Sequence, residues 1–266
     1  MRRVTFIVLA AMFAGAAVAQ TDEVAKVEPA ASAPLGKTLE WKSAEGKPYW
    51  YRLPKKLADG KPRALTLMLH GTGLKWGWAF WNYPIANGGF RGDDIVVAPE
   101  GMTPGGGDTF NFVQDKKDGD HIAGLIAWFK KKFTIDRVYL YGHSQGAFFA
   151  YWFAGEHPEL VDGIVAHAGN LLGNVKHTPL SKQKVAVAIL HGRADAVVGV
   201  ECAFATEKAL RELGYKKLRL EVVEGLTEQS GHWPLPKSAA DLFAWLDTAS
   251  ATTLGGVIEQ ALSVVM

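Results

Sequence analysis

The chain has 266 residues, 29 Lys and Arg against 27 Asp and Glu, and 48% hydrophobic residues. Such a balance speaks against nucleic acid or an anionic membrane as partner, and the apolar content suffices for one sizeable core. The one cysteine, Cys202, excludes an intramolecular disulfide, and neither zinc-ligand spacings nor phosphate-binding loops occur, so no metal or cofactor is expected.

Met1-Arg2-Arg3 precedes an apolar run, Val4 to Val18, that ends Ala17-Val18-Ala19. A basic start, a short apolar stretch and a small-x-small site describe a secretory signal peptide over 1–19, cleaved after Ala19. The run is short for a membrane span and lacks a following basic stop, so export to the periplasm or medium is expected rather than stable membrane insertion. Its removal leaves a neutral mature chain of a usual size for one α/β domain. Residues 20–36, rich in Ala, Pro, Ser, Glu and Lys, read as a flexible leader.

From 37 to 248 the pattern is one α/β domain. Thr38 to Trp41 and Tyr49 to Leu53 suggest an antiparallel hairpin. Ala64 to Leu69 and Ile95 to Ala98 are continuous apolar strands, as expected where both sheet faces are covered. Between them stand His70-Gly71-Thr72-Gly73 and an aromatic cluster: Trp76, Trp78, Phe80, Trp81, Tyr83. Gly105 to Phe110 reads as a mobile loop. Asp118 to Phe133 predicts a helix, with Ile122, Leu125, Ile126, Phe129 and Phe133 on one face and Asp118 and Asp120 at the start, where the helix dipole favours acids.

Next comes Tyr139-Leu140-Tyr141-Gly142-His143-Ser144-Gln145-Gly146-Ala147, in which a β-prone run turns at Gly-x-Ser-x-Gly into a helix-forming segment, Ala147 to Gly155. So tight a turn needs glycine on both sides and raises the Ser144 hydroxyl above the sheet. A serine hydroxyl is a poor nucleophile at neutral pH and needs a base held by an acid. Gly163 to Ala166 and Lys184 to Leu190 are further strands, and the segment between them, His167 to Gln183, is too short for a helical cap. His167 and His177 within it are expected to pack or face solvent. After the second of these strands comes His191-Gly192-Arg193-Ala194-Asp195, whose Asp195 is the candidate acid. Val200 to Leu213 predicts a helix, with Cys202 as a buried apolar residue. After the strand Leu218 to Val223, Ser230-Gly231-His232-Trp233-Pro234 supplies the candidate base, His232. All three residues are expected in loops after strand ends, where open α/β sheets gather ligands. A helix over Ser238 to Asp247 follows, then a tail, 249–266.

These motifs, in the order Ser, Asp, His, resemble the α/β-hydrolase superfamily over roughly Leu39 to Leu246. The resemblance is to secreted esterases of the feruloyl esterase, acetyl-xylan esterase and polyhydroxyalkanoate depolymerase type. Gly-x-Ser-Gln-Gly is also similar to the carboxylesterase/lysophospholipase and dienelactone-hydrolase branches, and Ala147 stands where many members have a second glycine. The resemblance implies an α/β-hydrolase fold: a mostly parallel central sheet flanked by helices, with no large cap domain. It implies Ser144 as nucleophile, Asp195 as acid and His232 as base, in a cofactor-free hydrolase acting through an acyl-enzyme on small esters, aromatic (feruloyl) ones among them, or on polymer-linked esters. The backbone N–H of Gln145 and that of Thr72 or Gly73 would bind the oxyanion. His70 reads as a structural residue holding that loop. Trp76, Trp78, Trp81 and Trp233 are the expected substrate-binding residues, since pockets are walled mainly by apolar and aromatic groups. A short-chain carboxylesterase or lysophospholipase is the first competing reading, ahead of a peptidase and a non-catalytic binding member of the fold.

Overall fold

The computed structural model describes residues 24–263, those from 251 onward by their backbone alone. The expected signal peptide, 1–19, lies outside the described residues. Nine strands form one sheet in the order β1-β2-β3-β5-β4-β8-β9-β10-β11. They are β1 (Ala25–Lys26), β2 (Leu39–Lys42), β3 (Pro48–Arg52), β4 (Arg63–Leu69), β5 (Ile95–Pro99), β8 (Ile135–His143), β9 (Gly163–His167), β10 (Ala186–Gly192) and β11 (Leu218–Val223). A two-stranded hairpin, β6 (Thr103–Pro104) with β7 (Phe110–Asn111), stands apart. The hairpin contains the glycine loop.

Only the β2–β3 and β3–β5 pairings of the large sheet are antiparallel. Strands β5, β4, β8, β9, β10 and β11 all run parallel, so their C-terminal ends share one edge. Parallel strands need crossovers, which bring helices onto both faces. The helices are α1 (Trp78–Asn82), α2 (Lys116–Lys132), α3 (Gln145–Glu156), α4 (Pro179–Lys184), α5 (Glu201–Glu212), α6 (Glu228–His232) and α7 (Pro236–Ser263).

Alternation along each strand then divides the core in two. Leu65, Leu67, Leu69, Leu140, Ile164 and Ile189 face α2, α3 and α5. Met68, Tyr139, Tyr141, Val165 and Leu190 face α1 and α7. Between β9 and β10 there are only a loop and the six-residue α4, so among the described residues no helical cap is inserted there.

The start of α2 differs from the expectation. Its N-cap is Asp115, whose side chain accepts from Asp118 N–H. Asp118 instead accepts from Met102 N–H, Thr103 Oγ1 and Val113 N–H, tying the β6–β7 hairpin to α2. Cys202 is half-buried rather than buried. One helix, α7, runs through the expected boundary at 248, from Pro236 to Ser263.

Candidate active site

Ser144 joins β8 to α3 in strained backbone, with φ 51° and ψ −118°, where a side chain is disfavoured. Its neighbours show why the motif needs glycine. A Cβ on Gly142 would fall 2.2 Å from the Gly146 carbonyl oxygen, and one on Gly146 would fall 2.5 Å from the Leu69 carbonyl oxygen. Ala147 is accommodated because Gly169 lies opposite, where a Cβ would come 2.5 Å from the Ala147 methyl. Ser144 N–H donates to the His167 carbonyl (2.9 Å), anchoring the turn to β9.

Asp195 and His232 meet as the chain order implies. His232 Nδ1 is 2.8 Å from Asp195 Oδ2. The second oxygen, Oδ1, accepts from Val197 N–H (2.8 Å) and Val198 N–H (2.9 Å), so the carboxylate cannot rotate away. His191 Nε2 lies 3.4 Å from Oδ2 and 2.7 Å from the Val198 carbonyl. Burial, the largest influence, pushes the Asp195 carboxyl pKa up. The bonds from His191, His232 and Val198 N–H outweigh it and hold the pKa well below the usual carboxylate range. The acid is therefore ionised at neutral pH, ready to fix one imidazole tautomer. One expectation is corrected: His232 is not in a loop but is the last residue of α6, whose N-cap Thr227 makes a capping box with Ser230. That short helix sets the angle at which the imidazole enters.

The His232 ring lies 5.0 Å, centroid to centroid, from His143, the residue before Ser144. His232 and the Ser144 hydroxyl are not hydrogen-bonded to each other in this structure, a contact that commonly tightens only with substrate. Beneath them lies a buried polar chain: Tyr83 to Tyr141, Tyr141 to His167 Nδ1 (2.8 Å), His167 Nδ1 to His143 Nδ1 (3.1 Å). Burial, reinforced by the facing imidazoles, holds His143 well below the ordinary histidine range and His167 down to about 3. Both are neutral supports. Nothing in the sequence marks His167 as part of this layer; only the pairing of β8 with β9, which sets His143 opposite His167, brings it there.

The loop after β4 adjoins the nucleophile: a Cβ on Gly71 would fall 3.1 Å from Ser144 Cβ. Gly73 N–H donates to Asn111 Oδ1 (3.4 Å), while Thr72 N–H donates to no protein atom among the described residues. Gln145 opens α3, so its N–H is among those left without an intrahelical acceptor.

The four tryptophans separate. Trp78 is 3% exposed and stacks on His143 (4.8 Å, 14°), so it is a floor under the site and not a cleft wall. This corrects the expectation; α1 turns its ring inward, against Tyr83 and Tyr141. Trp81 is 65% exposed and packs edge-on against Trp50 (5.6 Å). Trp76 is half-buried, its indole nitrogen enclosed without a partner. Trp233 follows His232 directly and is 47% exposed.

Residues 105–201 match the family model described as alpha/beta hydrolase fold. No curated protein matches the chain by sequence. Among solved structures, it is similar to a carboxylesterase from Mesorhizobium loti (TM-score 0.59, 20% identity, 82% of this chain and 98% of the other). A thermostable esterase superposes with a TM-score of 0.54 at 20% identity, over 82% of this chain and 62% of the esterase. This is an α/β-hydrolase fold. Est1E from Butyrivibrio proteoclasticus, solved with ferulic acid bound, shares it at 15% identity and a TM-score of 0.51, over 80% of this chain and 97% of that one. In this fold the groups described above all follow the C-terminal ends of β4, β8, β10 and β11, the edge where such sheets bind ligands. Among the described residues no cluster could hold a metal ion, and no helix is long and apolar enough to cross a membrane.

Proposed function

We propose that the protein is a serine hydrolase of carboxylic esters. The observation that carries this reading is the His232 Nδ1–Asp195 Oδ2 bond of 2.8 Å, held by a carboxylate that two backbone N–H groups lock in place. Asp195 keeps the His232 proton on Nδ1, so Nε2 is the basic atom. Ser144 Oγ attacks the ester carbonyl carbon as Nε2 takes its proton. The carbonyl oxygen, now negative, accepts from the N–H groups of Gln145 and of Thr72 or Gly73. The C–O bond to the alcohol breaks as Nε2–H protonates the leaving oxygen. Water, deprotonated by Nε2, then attacks the acyl-serine, and the acid departs with the Ser144 hydroxyl restored.

The finer reading is an aromatic or polymer-linked ester. It is supported by the short β9–β10 connection, which among the described residues carries no helical cap, and by the exposed indole of Trp233 beside the base. Hydrolysis of methyl ferulate and of acetate to decanoate esters tests both levels. Trp233→Ala should weaken ferulate turnover by about 1–3 kcal/mol of transition-state binding and leave acetate unchanged. Equal losses on both would remove Trp233 from the acyl or alcohol pocket. Failure to hydrolyse any ester would remove the enzyme reading altogether.

A further inference from the structure

His70 and Glu100 are both fully buried, and neither is needed for the reaction as written. His70 Nδ1 is 2.9 Å from the Gly71 carbonyl oxygen, and Nε2 is 2.9 Å from Glu100 Oε1. A carbonyl can only accept, so Nδ1 carries the hydrogen. The Nε2–Oε1 contact then holds one further proton between imidazole and carboxyl. Glu100 is held through its backbone, whose N–H donates to the Pro48 carbonyl (3.2 Å) and whose carbonyl accepts from His121 Nε2 (3.1 Å). Its second carboxyl oxygen, Oε2, is buried with no partner among the described residues, so His70 is the side-chain contact of the carboxyl group. The His70 ring packs on Phe112 (4.9 Å).

The Gly71 carbonyl belongs to the same peptide group as Thr72 N–H. In a trans peptide the two point in opposite directions. Gly71 O also accepts from Leu74 N–H (3.3 Å), closing a turn whose third residue, Gly73, has φ 73°. That conformation suits glycine. The next N–H, from Gly73, is taken up by Asn111. The loop is thus pinned on its carbonyl side by His70 and on its outer side by Asn111, and Thr72 N–H is the donor left facing outward beside Ser144.

We infer that His70 and Glu100 form a positioning dyad that orients and polarises the Gly71–Thr72 peptide, making Thr72 N–H, not Gly73 N–H, the second oxyanion donor. This rests on the esterase reading. A hydrogen bond accepted by a peptide carbonyl strengthens the donor at the other end of that peptide, and an imidazole backed by a buried carboxyl is a strong donor.

The test compares His70→Asn with His70→Gln. An asparagine amide N–H reaches the position of Nδ1, a glutamine amide that of Nε2, so both keep a polar group but only the first holds Gly71 O. The readouts are kcat and KM on p-nitrophenyl acetate, the inhibition constant of a trifluoromethyl ketone that forms a tetrahedral adduct on Ser144, and the melting temperature. The expected result is that His70→Gln loses kcat and ketone affinity together, by about 100-fold, the usual worth of one oxyanion donor. KM for the acetate should stay within roughly twofold, and His70→Asn should recover kcat to within about tenfold of wild type. Equal activity in the two variants overturns the dyad, as does a loss of kcat with unchanged ketone affinity. A wild type that hydrolyses no ester overturns the dyad together with the esterase reading; an active wild type with indifferent His70 variants overturns the dyad alone.

Discussion

Gly192 and Gly231 lie back to back: a Cβ on Gly192 would fall 2.2 Å from the Gly231 carbonyl oxygen. On the other side of this contact a Cβ on Gly231 would meet Asp195 N at 2.6 Å. The two glycines thus let α6 approach the loop after β10 until His232 reaches Asp195. The His-Gly after β10 and the Gly-His in α6 are two halves of one joint.

Gly231→Ala should therefore act on both stability and activity. Forcing a methyl into backbone contact costs about 1–3 kcal/mol, and relief requires moving His232 from Asp195. Urea unfolding and kcat on a short ester measure the two effects. A variant with full activity and unchanged stability would show that the joint is looser than its geometry.

Asp195→Asn should stay folded and lose kcat by about 10⁴-fold. The amide oxygen can still accept from Val197 and Val198 N–H, which turns the amide NH₂ toward His232 Nδ1. Nδ1 then becomes an acceptor, the hydrogen moves to Nε2, and the base cannot take the serine proton. Near-normal turnover, with a matching loss on changing Glu224 or Glu228, would mean the wrong acid has been assigned.

The buried imidazoles make the fold sensitive to acid. His143 and His167 are neutral when folded, with His167 pushed down to about 3 by burial and by the facing His232 and His191. Unfolded, each titrates near 6.5. Below about pH 6.5 the unfolded chain binds protons that the folded protein does not, so stability falls with pH, and above it neither residue contributes. From pH 7.5 to 5.0 His167→Gln should lose about 2 kcal/mol less than wild type. Asp195 stays ionised in both states over this window, so it does not blur the comparison. Parallel curves for the two proteins would contradict the neutral, buried assignment.

The tryptophans should separate in the same way as their burial. Trp78→Ala removes a core ring and the floor under His143, and should cost about 3–5 kcal/mol. Trp81→Ala, mostly exposed, should stay within roughly 0.5 kcal/mol of wild type. Melting curves distinguish them, and equal destabilisation would place Trp81 in the core as well.

The central strands were legible because covered parallel strands are continuous apolar runs; the edge strand Leu218–Val223, half-buried and interrupted by Arg219 and Glu221, was still bounded to the residue. The elbow was legible because Gly142, Ser144 and Gly146 carry its sterics locally. Trp78 was misread because an aromatic cluster after a turn says nothing about which ring α1 turns inward. His167 and Asn111 were invisible as parts of the site because strand and hairpin pairing, not local spacing, brings them there. The five-residue α6 is too short for its periodicity to register, although its capping residues, Thr227 and Ser230, are three apart.

The central claim is that Ser144 is the nucleophile, and covalent capture tests it most directly. A fluorophosphonate should add once to the wild-type chain, at Ser144 by peptide mapping. Ser144→Ala should take up no label, keep its melting temperature and lose on the order of 10⁴ to 10⁶ in kcat. A label at another residue, or more than roughly a tenth of wild-type turnover left in Ser144→Ala, would contradict the account.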